Sequence, residues 1–257
     1  MPVLPRVSRR LRPSHRLAAI CLALTPVGAA ACSLSTPQAA PKRVVLVGDS
    51  IAQETDPYLQ QLLGSIPVID SYFGGTAPCD WLGKDLQTDA SSVAVVTFTG
   101  NSLTACMSDG GSDHLHGQAL VDKYRVDLTA LVQQIRATGA RVLLVGQPQR
   151  GGATAATGNP EVAGINAIYV ELANTAGVSF VDAGATVEDA NGAFVTALPC
   201  LAGEAQCGPD GTNVVRNDDG VHLCPGAGAG AGAGACAVYS SGALRFATAI
   251  HDALAGI

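Results

Sequence analysis

Four short aliphatic runs, residues 44–47, 93–98, 142–145 and 178–181, constrain this chain more than any other feature. Each is nearly continuous in β-branched or aliphatic residues rather than alternating, as in strands buried on both faces of a parallel sheet. A weaker run spans 66–69, and Pro67 inside it suits an edge strand. Helical patterns lie between the runs. Leu120, Tyr124, Leu128, Leu131 and Ile135 recur at three or four residues, with Gly139 at the C-cap position. Asn159-Pro160-Glu161 supplies an N-cap, a first-position proline and a first-turn acid; Val162, Ile165, Tyr169 and Leu172 follow, and Gly177 closes. A last helix carries Phe246, Ile250 and Leu254 on one face. This alternation predicts an α/β fold with a mostly parallel sheet covered on both sides.

Upstream of the first run the composition changes. Arg6, Arg9, Arg10, Arg12 and Arg16 precede an apolar stretch over 17–27 and small residues over 28–31, the layout of an export signal. The stretch is shorter than the roughly 20 residues a membrane-spanning helix needs. Ala29-Ala30-Ala31 suits ordinary signal-peptide cleavage, and Cys32 directly after it suits a bacterial lipoprotein acylated at that cysteine. Residues 1–31 are therefore expected to be a signal peptide, 32–42 a Ser/Thr/Pro/Gln-rich tether, and 43–257 the folded domain. The protein is expected to be exported, either freely secreted or anchored to the outer face of the membrane through a lipid on Cys32.

Charge narrows the partners. The chain has 15 Lys and Arg against 21 Asp and Glu. Without residues 1–31 the balance becomes 10 against 21, a net of −11, so there is no electrostatic footprint for nucleic acid. Six cysteines remain in the domain: Cys79, Cys106, Cys200, Cys207, Cys224 and Cys236. An even number in an exported chain predicts three disulfides among 15 connectivities. Closeness in sequence suggests Cys200 with Cys207 and Cys224 with Cys236, leaving Cys79 with Cys106. No paired Cys/His spacing or phosphate loop occurs, so neither a metal nor a cofactor is implied. The Gly-Ala alternation over 225–235 reads as a flexible loop.

Reactive chemistry concentrates at two places. The run over 44–47 leads straight into Gly48-Asp49-Ser50, which puts Ser50 at the carboxyl end of a strand, where open α/β sheets build their sites. A helix starting there would aim N–H groups at a developing oxyanion. A serine hydroxyl also needs a base and the base an orienting carboxylate, and Asp219-Gly220-Val221-His222 offers both within one turn. His114 and His116 lie in a polar stretch, and His251 beside Asp252, which suits solvated positions. Trp81 is expected to pack against a Cys79–Cys106 bridge. Arg216 is expected either at the surface, salt-bridged, or in contact with an anionic substrate.

Four blocks in order over residues 43–222 resemble the SGNH (GDSL-type) hydrolases, in an exported bacterial form. Gly48-Asp49-Ser50 resembles the nucleophile block, Phe73-Gly74-Gly75-Thr76 the glycine block, Thr99-Gly100-Asn101-Ser102 the asparagine block, and Asp219-x-x-His222 the acid–base block. Thr99 stands where the family often has Gly, and Ser102 replaces an Asp. The resemblance implies a three-layer α/β/α sandwich with a flavodoxin-like five-stranded parallel sheet. It implies a Ser50–His222–Asp219 triad acting on an ester substrate, with Ser50, Gly75 and Asn101 as oxyanion donors; Gly74 is the alternative to Gly75. Two other functions fit the same residues: an O-acyltransferase or deacetylase acting on cell-envelope glycans, and a catalytically silent envelope-binding protein.

Overall fold

The computed structural model describes residues 40–110, 113–152, 158–224 and 239–257. The expected signal, Cys32, most of the expected tether, the Gly-Ala segment and Cys236 lie outside these residues. Five strands form one parallel sheet: β1 (Arg43–Gly48), β2 (Val68–Tyr72), β3 (Ser92–Thr97), β4 (Arg141–Val145) and β5 (Val178–Val181). Their spatial order is β2-β1-β3-β4-β5. Among the described residues four helices cover it: α1 (Ser50–Leu63), α2 (Gly117–Ala137), α3 (Pro160–Leu172) and α4 (Gly242–Leu254).

The continuous aliphatic runs are explained by burial on both sides. Val45, Val47, Ala94, Val96, Val142 and Leu144 pack with Tyr124, Leu128 and Leu131 of α2 and Ile165 and Tyr169 of α3. Their neighbours Val44, Leu46, Val93, Val95, Leu143 and Val145 face the opposite layer, with Ile51 and Leu59 of α1 and Phe246 and Ile250 of α4. Strand alternation therefore feeds two cores, and each fully buried side chain contributes roughly 1.5–3 kcal/mol. The three layers and the five-stranded parallel sheet agree with the sequence reading.

Two local differences have simple causes. The strand expected over 66–69 starts after Pro67 and runs to Tyr72. It is the sheet edge, and Pro67 stays outside the ladder except as an acceptor, its carbonyl receiving the N–H of Val44. A small antiparallel pair, β6 (Ala197–Pro199) with β7 (Thr212–Val214), had no sequence signal, because three residues are too few to show a period.

Cys200–Cys207, expected from closeness in sequence, and Cys79–Cys106, expected as the remaining pair, are disulfides. Cys224 is also disulfide-bonded. Such bonds persist in oxidising, extracellular-type surroundings. Among the described residues no helix is long and apolar enough to cross a membrane.

The chain order determines where a site can form. From β1 the chain moves outward to β2, then returns to β3 on the other side of β1, so the β1 and β3 ends diverge at a topological switch point. Their register pairs Gly48 with Thr97, which brings the segments after both strands side by side.

Candidate active site

Gly48 ends β1 where no side chain fits: a Cβ there would lie 2.2 Å from the Thr97 carbonyl oxygen and 2.8 Å from Ala52 Cβ. The tight approach lets the chain turn from strand into helix within one residue. Asp49 caps α1, its Oδ1 accepting the N–H of Ile51 at 3.1 Å. The capping role that Gly-Asp-Ser offers in many loops is thus filled by Asp49, and Ser50 is left as the first helical residue with its side chain free for other work. Its N–H belongs to the first turn, where intrahelical acceptors are lacking and the helix dipole is positive.

Asp49 also spans the switch point. Its Oδ2 accepts the Thr99 N–H at 2.6 Å, the Thr99 hydroxyl at 2.7 Å and the Asn101 side-chain amide at 2.8 Å. Burial pushes the Asp49 carboxyl above the usual carboxylate range, opposed by the hydrogen bonds from Thr99 and Ile51. Thr99 contributes two of these donors, and its hydroxyl is the one that the family's glycine would lack. Tyr124 of α2 donates to the Asn101 carbonyl at 2.9 Å, which fixes the backbone of the same residue from the other side. The Asn101 amide is thereby held in one orientation.

The glycine block follows β2. The Phe73 N–H donates to the Gly48 carbonyl at 3.2 Å, and Thr76 Oγ1 donates to the Phe73 carbonyl at 2.7 Å. Gly75 has φ +81°, a left-handed conformation that favours glycine. Trp81 Nε1 donates to Thr76 Oγ1 at 3.3 Å, and the half-buried indole packs in the same cluster as Cys79 and Cys106.

The candidate base and its partner come from the loop before α4. His222 Nε2 lies 2.9 Å from Ser50 Oγ, and His222 Nδ1 lies 2.6 Å from Asp219 Oδ2. Asp219 Oδ1 accepts the N–H groups of Val221 and His222 at 2.8 and 2.9 Å. Burial raises the Asp219 carboxyl, but these N–H groups and the imidazole outweigh it and hold the group below the usual carboxylate range. An ionised Asp219 favours the His222 tautomer with hydrogen on Nδ1 and an acceptor at Nε2, facing the Ser50 hydroxyl.

Arg216 corrects its expectation. It is 1% exposed, and among the described residues it makes no ion pair. The guanidinium donates to the carbonyls of Gln149 at 2.8 Å and Val221 at 2.7 Å, with the Gly220 and His222 carbonyls at 3.4 Å, and its Cζ sits 5.1 Å from the Phe194 ring centroid. It organises the loop that carries Asp219 and His222. Gly220, with φ +74°, lies against Gly151, whose N–H donates to its carbonyl at 2.7 Å.

His114 and His116 are exposed and away from this cluster, and His251 pairs with Asp252 at 3.0 Å. One further acid was not anticipated. Glu54 is buried, its Oε2 accepts the Leu223 N–H at 2.8 Å, and its Oε1 lies 4.0 Å from His222 Nε2. Burial, opposed by the charge of His222 and the Leu223 N–H, pushes its carboxyl up to about 7. The available signal was its spacing: four residues after Ser50 places it on the same helix face.

Ser50, Glu54, Gly75, Asn101 and His222 line one cavity of about 360 Å³. Leu103, also lining it, and the nearby Phe73 are exposed apolar side chains. The arrangement provides a hydroxyl facing an imidazole and a carboxylate behind the imidazole, in a cavity that Gly75 and Asn101 also line. Chemically that is sufficient for acyl transfer through a serine ester.

A family model described as "Protein of unknown function (DUF459)" matches residues 43–233. No curated protein matches the chain in sequence. Its fold is similar to that of an acetyl xylan esterase, at 17% identity over 82% of this chain and 98% of the other, with TM-score 0.53. It is also similar to that of a catalytic mutant of an acetylxylan esterase from Geobacillus stearothermophilus, at 13% identity over 85% and 96%, with TM-score 0.52. At these identities the likeness is one of fold.

Proposed function

The chain belongs to the DUF459 family, its fold is that of the SGNH hydrolases, and from its site we propose that it cleaves acyl esters with Ser50 as nucleophile, His222 as base and Asp219 as the orienting acid. The observation that carries this reading is the continuous Ser50 Oγ–His222 Nε2–Asp219 Oδ2 connection, at 2.9 and 2.6 Å.

In the first half-reaction the Ser50 Oγ–H proton passes to His222 Nε2 as Oγ bonds to the ester carbonyl carbon. The carbonyl oxygen takes the negative charge and is met by the Ser50 N–H, the Gly75 N–H and the Asn101 amide. Collapse breaks the carbon–oxygen bond to the alcohol, which leaves with the proton from Nε2. In the second half, Nε2 takes a proton from water as its oxygen attacks the acyl-serine carbonyl. The acid is released, and Ser50 Oγ recovers its proton. Any hydroxyl held in the water's position would give transfer instead of hydrolysis.

The disulfides of the described residues support an exported enzyme. Residues 1–31 serve in this reading as the export signal, 32–42 as the tether, with Cys32 as the lipidation candidate, and 43–257 as the catalytic domain. Hydrolysis of a series of small esters by the purified protein tests the assignment. Activity lost in both Ser50→Ala and His222→Ala supports it, and full activity in either variant refutes it.

A further inference from the structure

Glu54 is an expensive residue to keep where it is. Its side chain is 6% exposed, and a buried carboxylate is costly unless its oxygens are hydrogen-bonded. One oxygen is provided for: Oε2 accepts the Leu223 N–H at 2.8 Å. That single bond anchors the loop residue next to His222, and an amide or hydroxyl oxygen would serve it as well. The other oxygen is not provided for. Among the described residues no donor is within hydrogen-bond distance of Oε1, and its near neighbour is His222 Nε2 at 4.0 Å. Glu54 and the adjacent Gln53 both line the Ser50 cavity, so the unused acceptor belongs to the wall of the site.

The position of Oε1 determines what it can meet. His222 Nε2 must return its proton to the oxygen of the departing alcohol, which therefore approaches Nε2 at about 2.6–3.2 Å. Oε1 stands beside that same nitrogen. A hydroxyl on the carbon next to the ester-bearing carbon would fall within reach of Oε1, whereas a plain alkyl alcohol would present only C–H groups, with no hydrogen-bond donor, to a buried carboxylate. Gln53 can donate or accept at the next hydroxyl along. The other residues named in the lining, Gly74, Gly75, Asn101, Leu103 and Val221, offer no carboxylate.

Resting on the esterase reading above, we infer that Glu54 is a specificity-determining residue that accepts a hydrogen bond from a hydroxyl vicinal to the reacting oxygen. The alcohol part of the substrate is accordingly a polyhydroxylated, carbohydrate-like one. The charged groups facing Glu54 are His222 and Asp219 from the loop before α4, Asp49 at the end of β1 and the buried Arg216. Above neutral pH the carboxyl is ionised and acts as an acceptor only.

Two acetates that share an acyl group and an unactivated alcohol test this: glycerol monoacetate, with a vicinal hydroxyl, and propyl acetate, without one. At pH 8 the unaltered protein is expected to prefer glycerol monoacetate in kcat/KM by roughly 10- to 100-fold, the range for one hydrogen bond to a charged group. Glu54→Leu is expected to bring the ratio near 1. Glu54→Gln keeps an acceptor for Leu223 and is expected to lower the ratio by about 5- to 10-fold, the difference between a charged and a neutral partner. If Glu54→Leu does not fold, Glu54→Gln decides. An unchanged ratio in the folded variant overturns the inference, and so does an equal loss on both esters, which would make Glu54 a support for His222. Failure of the unaltered protein to cleave either ester would instead refute the esterase reading, and this inference with it.

Discussion

Asp49 Oδ2 accepts the side-chain amide of Asn101 at 2.8 Å across the gap between the ends of β1 and β3. The residue beside the proposed nucleophile thus aims the proposed oxyanion donor, and the two roles separate by mutation. Asn101→Ala removes the donor from the cavity and is expected to lower kcat about 10²- to 10³-fold with little change in melting temperature. Asp49→Ala leaves four donors, the N–H groups of Ile51 and Thr99, the Thr99 hydroxyl and the Asn101 amide, without their acceptor and is expected to cost roughly 2–4 kcal/mol of stability, read by denaturant unfolding.

Replacing Asp219 by Asn keeps the shape of the loop but removes the charge that holds the His222 tautomer. A drop in kcat of about 10³- to 10⁴-fold is expected by analogy with other triads, with the fold retained. Steady-state kinetics on an activated ester checks it; a loss under tenfold would mean that His222 is oriented by something else.

Glu54 makes stability depend on pH with a definite sign. Its carboxyl holds its proton in the folded protein up to about 7, against 4.5 for the ordinary group, so the folded state binds the extra proton between these values. Its contribution is therefore present at low pH and lost as pH rises from 4.5 through 7. Glu54→Gln has no such proton to lose. Its stability relative to the unaltered protein is expected to rise across this window by on the order of 2–3 kcal/mol, measured as the difference between the two melting curves at pH 5 and pH 8. A constant difference would contradict the burial argument.

Arg216 tests the loop that carries the base. A lysine there cannot reach both the Gln149 and Val221 carbonyls with a planar fork. Arg216→Lys is expected to lower stability by about 1–3 kcal/mol and to reduce kcat more than it changes KM, because the Ser50–His222 distance is what the loop fixes.

Sequence periodicity was enough for the sheet and its helices because burial on both faces leaves a signal within each run, as in Val44, Val45, Leu46 and Val47. The proposed triad was legible because Asp219 and His222 share one turn and Ser50 follows a strand. Less was legible where the cause is tertiary. Arg216 is buried by contacts with Gln149 and Phe194, far away in the chain, and its charge alone suggested the surface. Glu54 meets Leu223 across 169 positions, so only its helical spacing from Ser50 hinted at the cavity. Thr99 read as a loss from the glycine pattern, yet its hydroxyl reaches Asp49, a partner 50 residues earlier.

The central claim is that Ser50 is an activated nucleophile, and active-site labelling measures this without knowledge of the substrate. A fluorophosphonate probe should modify the protein once, on the peptide containing Ser50, with labelling abolished in Ser50→Ala and strongly slowed in His222→Ala. Undiminished labelling of Ser50→Ala, or a modified residue outside the cavity, would contradict the account.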